Sequence, residues 1–140
     1  MRVRISYHLA AALAAAALAV PTATAQGFRS DSKRFGNPKM DIVVTEIERH
    51  PRTSIVAIEV RAVGSSVGSS FFIACSLRDL ARQRGGYRHI AKAEETPRRG
   101  QMLVGFLRRA DEPPESLDAR LAGQPAFELE QFAPICEKMK

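Results

Sequence analysis

Two cysteines, Cys75 and Cys136, carry the most specific chemistry in this 140-residue chain. An even pair in an oxidising compartment has one way to join, and the spacing closes a loop of about 60 residues. Loop-closure entropy makes such a tie worth about 4 kcal/mol. The alternatives are a reactive thiol or a metal site. There is no C-x-x-C spacing, and the cysteines with His50 and His89 lack a zinc-ligand pattern. No metal and no cofactor is expected.

The other candidates for chemistry are His50, His89 and the serines at 65, 66, 69 and 70. None of the serines stands in a G-x-S-x-G turn. His50 precedes Pro51 and belongs to a turn. His89 shares a strand face with Tyr87 and Ala91, the place of a structural histidine more than of a base. Glu94 and Glu95 point to opposite faces of a strand, which weakens a shared two-carboxylate site. The glycine-serine stretch Gly64 to Ser70 lacks the lysine and spacing of a phosphate loop. Its simpler role is a connector, with Ser69 or Ser70 capping the next helix. An enzyme is not expected. The second function to weigh is a small secreted hydrolase using His89 or Cys75, which would need a free thiol or an activated base.

Charge is the other chemical feature. The net charge is +6, falling to +4 if Arg2 and Arg4 are removed with a leader. Between Arg78 and Arg109 nine Arg and Lys face Asp79, Glu94 and Glu95. From Asp111 to Glu137 seven acids face Arg120 alone. Two arrangements are open. The acidic end folds back and neutralises the basic middle, or a cationic face stays exposed for an anionic surface. Arg98, Arg99, Arg108 and Arg109 are the residues such a face would use. Nucleic acid is not expected, because the basic residues are not interleaved with stacking aromatics.

The elements that must position these groups follow from patterning. Residues 1–25 have a basic start (Arg2, Arg4), an apolar run Leu9 to Val20, Pro21 and the small-residue ending Ala23-Thr24-Ala25. That is the three-part secretory pattern, with Gln26 as the mature start. The apolar run has 12 residues, short of the roughly 20 that span a bilayer. No transmembrane span is expected after cleavage, and no Cys stands at the cleavage point to carry lipid. The product is expected to be exported, periplasmic or secreted.

Residues 26–40 are polar and read as a flexible arm. Residues 41–140 read as one α+β domain. Asp41 to Arg49 and Ser54 to Val63 alternate as strands, the second placing Val56, Ile58, Val60 and Ala62 on a buried face. Ser70 to Arg84 has helical spacing, with Ile73, Ala74, Leu77, Leu80 and Ala81 on one stripe and Gly85-Gly86 as its stop. Phe71 and Cys75 fall on the opposite side, beside Arg78 and Arg82. A bridge to Cys136 would lay the C-terminal segment there, with Phe132 and Ile135 near Phe71. Tyr87 to Glu94 and Met102 to Arg108 are two more strands, and Glu115 to Ala122 a short helix after Pro113-Pro114. Phe127 to Lys140 stays ambiguous because Pro134 interrupts it. The order β-β-α-β-β predicts one helix packed on a mostly antiparallel four-stranded sheet.

The stretch from Phe71 to Lys92, with Cys75, Leu77, Leu80, Ala81, Gly86 and Tyr87 feeding a strand, resembles small exported bacterial envelope proteins of uncharacterised function. The resemblance implies an α+β fold and an envelope address, and it transfers no catalytic residue. The expected function is a non-enzymatic binding or envelope-accessory module with a basic face. Its partner would be an anionic envelope surface or an envelope protein.

Overall fold

The computed structural model describes residues 27–35 and 37–139. The expected leader and its cleavage point lie outside the described residues. The fold is α+β: a six-stranded antiparallel sheet, one long helix across one face, and a Cys75–Cys136 disulfide. The strands are β1 (Arg29–Asp31), β2 (Asp41–Arg49), β3 (Thr53–Ala62), β4 (His89–Glu94), β5 (Gln101–Leu107) and β6 (Phe127–Glu128), in the spatial order β1-β2-β3-β5-β4-β6. The helices are α1 (Ser66–Gln83) and the short α2 (Ala133–Lys138).

The four expected strands are present as β2 to β5. The expectation of only four is corrected by β1 and β6, three and two residues long. Each is too short for alternation to show, and each caps an edge that a four-stranded sheet would leave open. The flexible arm is corrected too. β1 pairs with β2, Arg29 opposite Thr45 and Asp31 opposite Val43. Phe28 and Met40 are buried, and the Ser32 hydroxyl bridges the strand by donating to Met40 O and accepting from Ile42 N–H. Two aromatic anchors, Phe28 and Phe35, hold an otherwise polar segment in place.

That segment explains the helix. The expected stripe omitted Phe72, yet Phe72 is among the most completely buried side chains, edge-on to Phe35 at 5.7 Å. Ser76 donates to Phe72 O and to Ser30 Oγ. So α1 is covered on three sides: by the sheet, by residues 28–40 and by the C-terminal segment. It also begins earlier than expected. Ser65, not Ser69 or Ser70, is the N-cap, and its side chain accepts from Gly68 N–H at 3.0 Å. Ser69 and Ser70 instead bond back to Ser66 O. At the other end Gly86 and Tyr87 N–H both reach Ala81 O, closing the helix as its two glycines predict.

The core has two layers. Against α1 lie Ile42, Val44, Val56, Ile90, Met102, Val104 and Phe106. On the back of the sheet Ile55, Ala91, Leu103 and Leu107 pack under Leu117 and Leu121. The short helix expected over Glu115–Ala122 is replaced by two 3₁₀ turns, Pro114–Ser116 and Ala119–Leu121. Asp118 caps the second turn, so Leu117 and Leu121 can both point down. They need space that Gly105 provides: a β-carbon there would lie 2.5 Å from Leu121 Cδ1 and 3.3 Å from Leu117 Cδ2.

The strap between β5 and these turns is held by Glu112. Its carboxylate accepts from the Arg52 guanidinium and from Arg108 N–H. The hydrogen bonds from Arg52 pull the Glu112 pKa from 4.5 to about 2, against the opposing effect of burial. A depressed carboxylate stabilises the fold above its ordinary pKa and loses that contribution as pH falls through the depressed one. Wild type should therefore exceed Glu112→Gln by about 1–2 kcal/mol at neutral pH, discounted for nearby solvent. The difference should shrink between pH 4.5 and about 2, as read from urea unfolding at each pH. A difference that stays constant over that range would refute the linkage.

Candidate functional site

On the α1 face, one helix does not cover six strands. An open groove results along the flank of α1, over the ends of β3, β5 and β4. Its larger part, about 540 Å³, is lined by Ile58, Val60, Ile73 and Met102 on the apolar side. Glu94, Glu95, Arg99 and Gly100 form its polar rim. A second part of about 290 Å³ shares Ile73, Met102 and Glu94 and is walled by Phe71, Phe127 and Phe132.

The aromatic wall comes from the C-terminal segment. Phe132 is edge-on to Phe71 at 6.2 Å, and Phe127 stacks on Phe132 at 5.4 Å. This is the placement the helical wheel predicts once Cys75 and Cys136 are joined. The bond is present, with Cα atoms 5.5 Å apart, and among the described residues no free cysteine remains. Lys92 sits over the Phe127 ring and pairs with Glu94 at 2.7 Å, so this end of the groove carries both signs of charge.

The acidic C-terminal segment does fold back onto part of the basic middle. Glu130 holds Arg78 at 3.3 Å and lies 3.9 Å from Arg82, and Glu128 holds Arg88 at 3.0 Å. Arg78, on the helix face that the C-terminal segment was expected to cover, is buried beneath it. The hydrogen bonds from Arg78 keep the Glu130 carboxyl below its ordinary pKa.

The four arginines expected to form one cationic face are not brought together. Arg98 and Arg99 lie in the turn before β5, and Arg108 and Arg109 follow its other end. Seven strand residues at about 3.4 Å each put more than about 20 Å between the pairs. Arg109 also pairs with Asp111 at 3.0 Å. Arg98 and Arg99 are exposed and have no ion pair among the described residues, and Arg99 lines the groove.

The alternatives resolve differently. Cys75 offers no thiolate, because its sulfur is bonded to Cys136. His89 stands in β4, half-buried, opposite Leu107 and Glu128. His50 is exposed and contacts Glu48. Among the described residues no group of three His, Cys, Asp or Glu is placed to hold a metal ion.

Sequence reasoning missed Val60, Met102 and Phe127 as groove residues. Val60 was expected on a buried face, yet it is 49% exposed. The reason is tertiary: β5 pairs with β3 only from Thr53 to Ala57, so Val60 has no β5 residue beside it.

No known protein family matches this chain, and neither a curated protein nor a solved structure was found to be similar to it.

Proposed function

We propose that this chain is an exported, non-enzymatic binding module of the cell envelope, and that the groove beside Arg98 and Arg99 is where it takes its partner. The observation that carries this reading is the groove itself. It combines an apolar floor (Ile58, Ile73, Met102), an aromatic wall and a polar rim of Glu94, Glu95 and Arg99, the arginine having no ion pair among the described residues. A few polar groups around an apolar concavity is the usual make-up of a binding site. The secretory pattern of residues 1–25 and the disulfide support an oxidising destination.

Two measurements test it. Expressed with its own leader, the protein should appear in the osmotic-shock fraction with Gln26 first and a mass two hydrogens below the reduced chain. Retention in the cytoplasm with both thiols free would refute export. Immobilised mature protein should capture envelope material at about 0.05 M salt and release it at about 0.5 M, where screening reaches only a few ångström. The Arg98→Glu/Arg99→Glu variant should capture several-fold less. Capture indifferent to both salt and this variant would refute the arginine rim as the contact.

A further inference from the structure

The groove has a charge pattern as well as a shape, and the two together define the ligand that fits. Its two parts meet at Ile73, Met102 and Glu94, so they form one trough. At about 290 Å³ and 540 Å³ they are the size of small-molecule sites. The smaller part is the apolar one, floored by Ile73, Leu77 and Met102 beneath its three phenylalanines. Those rings are already engaged with one another. Phe127 and Phe132 are stacked within 14° of parallel, Phe71 meets Phe132 edge-on, and Lys92 Nζ lies 5.8 Å from the centre of the Phe127 ring. A pocket whose aromatic faces are taken has little to offer another flat ring. It suits an alkyl chain, which is held by buried area alone.

The larger part carries its charges on one rim, the carboxylates of Glu94 and Glu95 and the guanidinium of Arg99. Glu94 is engaged by Lys92 at 2.7 Å. Glu95 gives one oxygen, Oε2, to Gly100 N–H at 2.9 Å and has no ion pair among the described residues. Arg99, four residues along the same loop, has none either. An anion and a cation thus stand on one rim of an apolar trough without neutralising each other. The backbone that carries them is anchored. Thr96 N–H reaches Gln101 O at 3.1 Å, Gln101 N–H reaches Arg98 O at 3.0 Å, and Gly100 O accepts from Ile58 N–H at 2.8 Å. Glu95 opposes a purely anionic head, and Arg99 opposes a purely cationic one. A head with both signs answers both.

We infer that the trough binds one zwitterionic amphiphile with a single alkyl chain. Its phosphate meets Arg99, its ammonium meets Glu95, and its chain passes over Ile73 and Met102 into the aromatic pocket. The guanidinium donates to phosphate oxygens, and the ammonium donates to the carboxylate oxygen that Gly100 leaves free. The occupant is a lipid monomer and not a bilayer surface. A bilayer keeps its chains inside and presents only heads, so it cannot fill a concavity walled by Phe71 and Phe132. A rim of mixed sign also gives no net pull toward an anionic leaflet. The inference rests on the reading of the groove as a binding site and names its ligand.

The test titrates the disulfide-bonded mature protein with lysophosphatidylethanolamine below its micelle concentration, followed by calorimetry. One-to-one binding is expected. Over chains of about six to about sixteen carbons, affinity should rise about fourfold per methylene and level off once the pocket is full. At one chain length the phosphoethanolamine head should bind about tenfold more tightly than a phosphoglycerol head, which lacks the cation, or a plain alkylamine, which lacks the anion. Arg99→Gln should remove the advantage over the alkylamine. Glu95→Gln, which can still accept from Gly100 N–H, should remove the advantage over phosphoglycerol. Ser70→Trp, at an exposed position on the pocket mouth, should abolish binding and leave the unfolding midpoint in place. An affinity that climbs without a plateau, equal binding of the three heads, binding untouched by Ser70→Trp, adsorption to phospholipid vesicles without uptake of monomer, or no binding up to millimolar lipid would each overturn the inference. Salt-sensitive capture of envelope material through Arg98 and Arg99 would stand in any of those cases, so failure here is distinguishable from failure of the broader reading.

Discussion

Glu46→Ala is expected to destabilise the protein by about 3–5 kcal/mol, because it leaves a buried arginine without its counter-charge. Glu46 is nearly inaccessible in β2, and Arg84, just past the end of α1, is almost as deeply placed. Arg84 reaches Glu46 Oε2 at 3.3 Å, donates to Ser54 Oγ, Thr53 O and His50 O, and lies over the Phe106 ring at 4.8 Å. Ser54 in turn donates to Glu46, and Arg49 holds the other carboxylate oxygen at 2.9 Å. Burial raises the Glu46 pKa, but the hydrogen bonds from Arg49 and Ser54 and the charges of Arg49 and Arg84 more than offset it, so the carboxyl stays below its ordinary value. The network joins the C-terminal end of α1 to the β2–β3 turn. Chemical unfolding should show the loss. Pairing Glu46→Ala with Arg84→Leu should cost less than the sum of the single changes, since the double variant buries no lone charge. Strict additivity would mean that the two residues do not act together.

Removing the disulfide with Cys75→Ala/Cys136→Ala should cost about 4 kcal/mol, the loop-closure entropy of a tie between residues 61 apart. The effect should also be local. α2 has six residues, and Cys136 is the buried one, so the bridge is its main hold on α1. Amides of residues 133–139 should therefore exchange much faster in the variant, while those of β5 lose protection only in proportion to the global change. Phe132 should come away from Phe71, opening the aromatic end of the groove. An unfolding midpoint within about 0.5 kcal/mol of wild type would show that packing by Leu129 and the ion pairs of Glu130 suffices without the bond.

The apolar pattern alone specifies β2 to β5, α1 and its glycine stop, because each of these is long enough for its period to repeat. The disulfide and the contact of Phe132 with Phe71 were also legible. Phe71 and Cys75 form an apolar pair on a charged helix face, and such a pair requires a cover. β1 and β6 were not legible: two or three residues have no period, and they become strands only because β2 and β4 present them with an edge. The burial of Phe72 depends likewise on Phe35, which sits in a segment whose composition is that of a loose arm.

For the site, sequence supplied the residue types and tertiary structure supplied the grouping. Nine cations in one stretch read as a single face. The hairpin geometry instead sends Arg98 and Arg99 to one end of β5 and Arg108 and Arg109 to the other, and the acidic C-terminal segment absorbs Arg78, Arg82 and Arg88. The exposure of Val60 was decided by where a neighbouring strand stops. Periodicity records which way a side chain points from its own backbone; whether anything lies above it is set by residues distant in the chain, and those are brought near only by folding.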